Sequence, residues 1–253
     1  MIAASIADSC ADRAVTAILA GFAFQGQAMT NMADQVVLVT GGARGLGAAI
    51  SRAFLGAGAR VVINFHRSAD AAAALVDTAG ARALAVQADV TDPAAVGAMV
   101  ERAQAHFGAP VTTVVNNALA DFRFDGDARP QAEAITWPRF AAQFEGSVRG
   151  ALNTVQAALP GMRSAGGGRV INIGTNLFQN PVVPYHDYTA AKAAARSGLQ
   201  SGITCRTAPQ ISTLITPVSA DAAAAAASAN GSITSGTKVG ATSTGTTSSP
   251  LRA

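Results

Sequence analysis

A phenol and an ammonium group four residues apart are the side chains in this sequence best suited to acid–base chemistry. Tyr188 and Lys192 lie in an alanine-rich run, so they share one face if that run is a helix. A nearby cation favours the phenolate, so the pairing predicts a tyrosine pKa below its usual value, in the working range of a general acid/base. Thr175, thirteen residues before Tyr188, adds a hydroxyl that can hydrogen-bond a substrate carbonyl.

A glycine-rich stretch earlier in the chain is suited to binding phosphate. It ends a β-branched run and leads directly into a helical one, and its candidate binding residues are Thr40, Gly41, Arg44, Gly45, Leu46 and Gly47. Glycines at these positions let the backbone turn tightly and approach a pyrophosphate, whose charge the N-terminus of the next helix favours. Between a first strand and a first helix, the pattern predicts a dinucleotide site.

The end of the second β-branched run indicates which dinucleotide is preferred. An NAD enzyme needs a carboxylate there for the ribose hydroxyls, about 20 residues past the loop, but this chain has Asn64 to Ser68 and no acid. Arg67 and Arg44 can instead hold a 2′-phosphate through charge-assisted hydrogen bonds. The sequence therefore predicts NADP(H), and the alternative is that both residues are solvated surface arginines.

Two further stretches follow strand-like runs at positions where a cofactor would lie. Asp89, with Val90 beside it, is placed to accept a hydrogen bond from the adenine amino group, whereas Asp92 before Pro93 is typical of a helix cap. The turn after the fourth run offers amides to the same cleft, and its residues are Asn116, Asn117 and Ala118.

The elements that must position these groups follow a regular rhythm of short β-branched runs and longer helical stretches. Five runs are predicted as strands: Val36–Thr40, Arg60–Phe65, Ala83–Gln87, Val111–Asn116 and Arg169–Ile173. Apolar strands separated by helices indicate an α/β fold with a Rossmann-like, doubly wound parallel sheet. The later runs are short and interrupted by Pro209 and Pro217, so strands six and seven are not recognisable and the fifth strand is expected to be an edge.

Composition narrows the function classes. The 253 residues are 49% hydrophobic and 13% charged with a net charge of +3, and no Lys/Arg run predicts nucleic-acid binding. The two cysteines lie far apart and no His/Cys cluster has ligand spacing, which favours a reducing cytoplasm and predicts no metal site. The apolar stretch from 14 to 24 is too short to span a membrane.

Three motifs in order resemble the classical short-chain dehydrogenase/reductase family. They are the Thr40–Gly47 loop, the Asn116-Asn117-Ala118 turn and the Tyr188-x-x-x-Lys192 pair, and within the family the chain is most similar to 3-oxoacyl-[acyl-carrier-protein] reductases. The resemblance implies a homo-oligomeric, cytoplasmic enzyme of fatty acid biosynthesis that reduces a small or acyl-carrier-linked carbonyl compound.

The resemblance also implies roles for single residues. Tyr188 would donate a proton to the carbonyl oxygen as NADPH delivers a hydride, and Lys192 would lower the tyrosine pKa and bind the nicotinamide ribose. Thr175 stands at the family's serine position and Ser147 at its catalytic asparagine position. Because the asparagine is absent, the lysine-linked proton relay of the family is not assured, although Ser147 can still hold a water.

The chain is predicted to divide into three parts: an N-terminal extension at 1–32, an NADP-binding reductase core at 33–198 and a low-complexity tail at 199–253. In the tail, 25 of the 30 residues from Ser219 to Ser248 are Ala, Gly, Ser or Thr, a composition typical of disorder or of an aberrant reading frame. Two alternatives therefore stay open beside the reductase, namely a catalytically impaired dinucleotide-binding remnant and a sugar or steroid alcohol dehydrogenase.

Overall fold

A computed structural model describes residues 31–119, 122, 130–175, 177, 185–201 and 211–218. In this part of the chain a single sheet contains six parallel strands in the order β3-β2-β1-β4-β5-β6. The strands are β1 Val36–Val39, β2 Arg60–Phe65, β3 Ala83–Gln87, β4 Thr113–Asn116, β5 Gly168–Thr175 and β6 Ile211–Val218. The predicted Rossmann-like α/β class is confirmed.

Helices connect the strands and cover the sheet. They are α1 Gly45–Gly56, α2 Ala69–Ala79, α3 Pro93–Phe107, α4 Trp137–Phe144, α5 Gly150–Ser164 and α6 His186–Ser201. A π-helical turn, Glu145–Arg149, joins α4 to α5. Short 3-10 turns lie at Met32–Asp34, Gly80–Arg82 and Ala132–Ala134.

Burial on both faces explains why the strands are continuously apolar. All four residues of β1 are fully buried, but Val37 and Val39 belong to one hydrophobic cluster, with Phe54 of α1, while Leu38 belongs to another, with Met99 of α3. Successive strand residues point to opposite faces, so a strand between two helical layers needs apolar residues at every position.

The start of α3 shows how the sequence ends one element and begins the next. The Asp92 carboxylate accepts hydrogen bonds from the backbone N–H groups of Ala94 and Ala95 at 2.9 and 3.3 Å, and Pro93 occupies the first turn. The interpretation of Asp92 as a helix cap is confirmed. Gly108 closes the helix in the left-handed conformation, with φ 64°.

The carboxyl ends of β1 and β4 mark the place where the strand order reverses. From β1 the chain moves outward to β2 and β3, then returns to β4 on the other side of β1. Helices leave the sheet in opposite directions at such a point and open a crevice beyond the strand ends, which is where ligands bind in folds of this class.

The strand at the far edge corrects one expectation. The fifth strand is not an edge in the described sheet, because β6 pairs with it in parallel from Gly168 opposite Ile211 to Thr175 opposite Val218. Pro217 had argued against a strand, but proline is tolerated in edge strands, and no described strand pairs with the other side of β6. β6 falls inside the predicted tail. Residues 1–30, 202–210 and 219–253 lie outside the described residues, so the domain boundaries stay a prediction.

Candidate functional site

The hydroxyl of Thr40 ties the glycine-rich loop to the turn after β4. Thr40 is 2% exposed, and its Oγ1 donates to the Val115 carbonyl at 3.2 Å while accepting from the backbone N–H groups of Asn117 and Ala118 at 2.9 and 3.0 Å. Asn117 adds a second link, since its Nδ2 donates to the carbonyls of Thr40 and Gly41. Two of the predicted cofactor-binding stretches are therefore one hydrogen-bonded unit.

Two glycines in the loop cannot be replaced without moving it. Gly41 has φ 60°, and a Cβ there would lie 3.2 Å from the Cα of Ala118. At Gly47, in the first turn of α1, an added Cβ would overlap the carbonyl oxygen of Gly41 and lie 2.7 Å from Asn117 Nδ2. The loop, the helix and the turn after β4 are therefore in close backbone contact. The N-terminus of α1 is directed at the crevice, where it would stabilise an anion.

Asn64, at the end of β2, holds the loop from the other side and was not predicted as a site residue. Its Oδ1 accepts from the Gly41 N–H at 3.2 Å, and its Nδ2 donates to the Ala88 carbonyl at 3.0 Å. Its own carbonyl accepts from the Gly42 N–H at 2.8 Å. The sequence signal is a polar residue inside an otherwise apolar strand, since buried amides are kept only where they are hydrogen-bonded.

The arginines predicted to select the cofactor lie on the surface beside this loop. Arg44 precedes α1 and Arg67 follows β2, and both are exposed. Asp89 accepts hydrogen bonds from the Thr91 backbone N–H and hydroxyl at 2.9 and 2.8 Å. These bonds, with smaller contributions from the nearby charges of His66 and Arg67, lower the pKa of Asp89. A carboxylate that remains ionised beside Arg67 is thus available as a hydrogen-bond acceptor at the end of β3.

The groups predicted to do chemistry meet at the carboxyl end of β5. Tyr188 and Lys192 lie one turn apart on α6, and each is 5% exposed. Thr175, the last residue of β5, shares a side-chain hydrogen bond with Tyr188. Lys192 Nζ donates to the Ile173 carbonyl at 2.8 Å. Thr175 and Tyr188 are therefore joined across β5 and α6, and Lys192, one turn along α6, is hydrogen-bonded to the backbone near the end of the same strand.

The pKa values correct the expected effect of the lysine. Burial raises the pKa of Tyr188 to about 12, and the hydrogen bond from Thr175 opposes that rise only in part. Burial also lowers the pKa of Lys192 to about 8. Withdrawal from water is the main cause of both shifts, and the phenol carries its proton at neutral pH.

Two contacts that hold Tyr188 were not predicted. The ring of Phe122 stacks on the Tyr188 ring with centroids 4.4 Å apart and planes 20° apart. Asp187, 2% exposed, accepts from the Tyr188 backbone N–H at 2.9 Å and pairs with Arg139 of α4 at 2.8 Å. Neither Phe122, an aromatic residue in a loop, nor Asp187, an acid directly before the tyrosine, stands out in the sequence as a site residue.

Ser147 lies in the π-helical turn between α4 and α5, and its side chain is 6% exposed. It borders a cavity of about 10 Å³, which is the room one water molecule needs. Lys192 and Asn116, which were also predicted as site residues, line the same cavity. Asn172 of β5 lines it too and was not predicted. Single π-helical turns recur at functional sites, so the placement of Ser147 is consistent with a role there.

The family model described as short chain dehydrogenase matches residues 35–217 of this chain. The chain belongs to the short-chain dehydrogenase family. The match begins before β1 and extends into β6, so it includes every element that builds the site.

Similar short-chain dehydrogenases and reductases come from fungi, plants and bacteria. A versicolorin reductase of Emericella nidulans is 35% identical over 63% of this chain and 59% of its own length. NADPH-dependent aldehyde reductase 2, a chloroplastic protein of Arabidopsis thaliana, is 32% identical over 66% of this chain and 64% of its own. A short-chain dehydrogenase structure from Streptomyces avermitilis has a TM-score of 0.62 at 32% identity and covers 72% of this chain and 64% of that one. This chain spans about three fifths of the length of the relatives it matches.

The short-chain dehydrogenase family typically binds a nicotinamide dinucleotide. Among the described residues, no three His, Cys, Asp or Glu side chains are grouped as metal ligands. No helix within the described ranges is both long enough and apolar enough to cross a membrane.

Proposed function

We propose that this chain is an NADPH-dependent reductase that converts a carbonyl, such as that of a 3-oxoacyl thioester, into an alcohol with Tyr188 as proton donor. The observation that carries the proposal is the buried group of Tyr188, Thr175 and Lys192 at the carboxyl end of β5, beside the glycine-rich loop. The 3-oxoacyl substrate is taken from the resemblance of the motifs. The small-molecule or acyl-carrier-linked substrate, the homo-oligomer and the cytoplasmic location belong to the same proposal.

The proton path follows from the protonation states. With its pKa raised to about 12, Tyr188 presents a phenol O–H at neutral pH, as a donor to a carbonyl oxygen requires. Thr175 can hydrogen-bond the same oxygen and hold the carbonyl next to the phenol. As hydride adds to the carbonyl carbon, the C=O π electrons move to oxygen, which takes the tyrosine proton. The ammonium of Lys192 favours the phenolate that is left behind.

The residues present fit a nicotinamide dinucleotide. Gly41 and Gly47 let the loop and α1 pack closely against the turn after β4, and the N-terminus of α1 stabilises the negative charge of a pyrophosphate. When bound, the cofactor would supply the hydride. Arg44 and Arg67 would hold a 2′-phosphate, and Asp89 would accept from the adenine amino group. The turn residues from Asn116 to Ala118, with Val90, would border the nicotinamide side.

The test of the mechanism is Tyr188→Phe, with Tyr185→Phe as its matched control. Tyr188 and Tyr185 are the two tyrosines of the chain, and both are buried against Phe122. We expect Tyr188→Phe to abolish NADPH oxidation with an acetoacetyl thioester while NADPH binding, followed by its fluorescence, is retained. Tyr185→Phe keeps most of the turnover. Normal turnover in Tyr188→Phe refutes the mechanism.

The same assay separates the alternative functions. Binding of NADPH by the unmodified chain without turnover of acetoacetyl thioesters, aldehydes, sugars or steroids would favour a dinucleotide-binding remnant. Turnover confined to sugars or steroids would favour an alcohol dehydrogenase of the same family and overturn the acyl-thioester substrate.

Cofactor preference is tested by titration. The proposal expects tighter binding of NADPH than of NADH, and Arg67→Gln should reduce the difference. Arg52→Gln, which removes an exposed arginine from α1, should leave it unchanged. Equal or tighter binding of NADH to the unmodified chain would overturn the NADP preference.

A further inference from the structure

The ring of Phe122 lies between the two tyrosines of the chain. It stacks on Tyr188 with ring centroids 4.4 Å apart and planes 20° apart, and it meets Tyr185 in a T-shaped contact at 5.5 Å and 74°. Both are geometries that aromatic pairs favour. Leu177, a buried residue, packs in the same cluster. Phe122 thus covers one face of the Tyr188 phenol with an apolar surface.

Other residues hold the two ends of the Tyr188 side chain. Its hydroxyl shares a side-chain hydrogen bond with Thr175, whose Oγ1 also accepts from the backbone N–H of Leu177 at 3.2 Å. Its backbone N–H donates to the Asp187 carboxylate at 2.9 Å. Since β5 and α6 already fix the hydroxyl and the backbone, the contribution that remains for Phe122 is the cover over the face of the ring.

We infer that Phe122 is a positioning residue that keeps water away from the Tyr188 phenol, so that the proton stays on the phenol until a substrate carbonyl takes it. An apolar ring stacked on the phenol displaces water that would otherwise solvate a phenolate, and an anion withdrawn from water is disfavoured. Phe122 acts through Tyr188 and does not need to touch the substrate. The inference rests on the proposed function for its catalytic meaning, whereas the exclusion of water does not depend on turnover.

The titration of Tyr188 is the property that this cover controls. Burial is the main cause of its raised pKa, so removing part of the cover should lower that pKa. The titratable groups around Tyr188 are His186, Asp187 and Lys192 within one turn on α6, Arg139 of α4, the exposed Glu145–Arg149 pair of the π-helical turn, and Tyr185 across the Phe122 ring. The carboxyl end of β5 presents Thr175, which does not titrate. Changing Phe122 leaves all of these groups in place, so a shift in the Tyr188 titration reports the lost cover.

The tyrosine content of the chain makes the cover directly measurable. Tyr185 and Tyr188 are its two tyrosines, so Tyr185→Phe leaves Tyr188 as the only source of tyrosinate absorbance and keeps an aromatic ring against Phe122. In that background a pKa of about 12 leaves about 3% of Tyr188 ionised at about pH 10.5. We expect Phe122→Ala to lower the pKa by about one unit, which raises the ionised fraction to about a quarter. Circular dichroism at the same pH checks that each protein is folded.

Two further variants separate the exclusion of water from a general loosening of the structure. Phe122→Leu restores an apolar side chain, so it should recover most of the Tyr188 titration of the unmodified residue. Phe107→Ala removes a half-buried aromatic ring at the end of α3, in the hydrophobic cluster of Leu38 and Met99, and should leave the titration unchanged. An unchanged titration in Phe122→Ala, or an equal shift in either Phe122→Leu or Phe107→Ala, would overturn the proposal.

Nuclear magnetic resonance supplies a readout that needs no variant of Phe122 to fold. In protein labelled on its tyrosine rings, two sets of ring signals are expected, and Tyr185→Phe assigns them. The Tyr188 ring protons should lie upfield of those of an exposed tyrosine, because the stacked Phe122 ring shields them. Unshifted Tyr188 signals would overturn the stack and the proposal with it.

The catalytic meaning is tested by the pH dependence of turnover. Reduction needs a protonated phenol, so the ratio of kcat in Phe122→Ala to kcat in the unmodified chain should fall by about a quarter from pH 8 to about pH 10.5. Taking this ratio cancels the titration of Lys192, which both chains share. A constant ratio would overturn the role in proton transfer. A chain that lacks turnover but shows the shifted Tyr188 titration retains the cover while refuting the reductase.

Discussion

Replacing Lys192 by methionine should remove a large pH dependence of stability. Burial lowers the pKa of this lysine from 10.5 to about 8, a difference of about 2.5 units. At about 1.4 kcal/mol per unit, the folded chain is stabilised by roughly 3 kcal/mol above pH 10.5 relative to pH values below 8. Between those values the unfolded chain binds a proton that the folded chain does not, so the free energy of unfolding rises with pH.

The assay is urea denaturation followed by circular dichroism at pH 7, 8, 9 and 10. The quantity to compare is the free energy of unfolding of the unmodified chain minus that of Lys192→Met. With one further measurement at pH 10.5, this difference should rise by roughly 3 kcal/mol between pH 7 and pH 10.5. Subtracting the variant cancels groups whose titration does not depend on Lys192. The raised pKa of Tyr188 contributes stability below pH 10 that is lost as the pH rises toward 12, so the comparison is confined to pH values at which the phenol is still protonated in the folded chain.

An exposed cation provides the control for Lys192→Met. Arg52 lies on the surface of α1, so the difference between the unmodified chain and Arg52→Met should not change with pH. A Lys192→Met difference that also stays constant from pH 7 to 10 would refute the reasoning, because it would mean that the buried ammonium is as well stabilised as one in water.

Three further substitutions test the supports of the site. Gly47→Ala should weaken dinucleotide binding, measured by titration, because its Cβ would overlap the Gly41 carbonyl. Asp92→Ala should lower the free energy of unfolding by about 1 kcal/mol, while Asp92→Asn keeps a capping oxygen and most of the stability; equal losses would contradict the cap. Arg139→Met should lower the free energy of unfolding by roughly 1–2 kcal/mol, because it leaves the Asp187 carboxylate buried without its ion pair. Arg149→Met breaks an exposed ion pair and should leave the urea midpoint unchanged.

The part of the site that could be predicted from the sequence consists of residues whose role is local. The Thr40–Gly47 loop, the Asp92 cap and the Tyr188/Lys192 spacing each express a rule that acts over a few residues. The first five strands could also be predicted, because a strand buried on both faces needs continuous apolar residues, as in β1.

The remainder depends on contacts between distant residues. Asn172 meets Asn116 across 56 positions, and Asp187 meets Arg139 across 48. The pKa of Tyr188 rises because the folded chain buries it, a factor that the one-turn spacing from Lys192 does not contain. β6 was missed because Pro217 argues against a strand, while the tolerance for proline depends on its being at the edge of the described sheet.

The bonds from Thr40, Asn64 and Asn117 also bear on how a ligand would be bound. Together they hold the backbone of Gly41 through its N–H and its carbonyl, and join it to the ends of three strands. Fixing a flexible backbone residue costs about 1–2 kcal/mol in conformational entropy at the moment of binding. In this loop that ordering is complete once the sheet has folded. Affinity therefore reflects the contacts made with the ligand, with little lost to induced order.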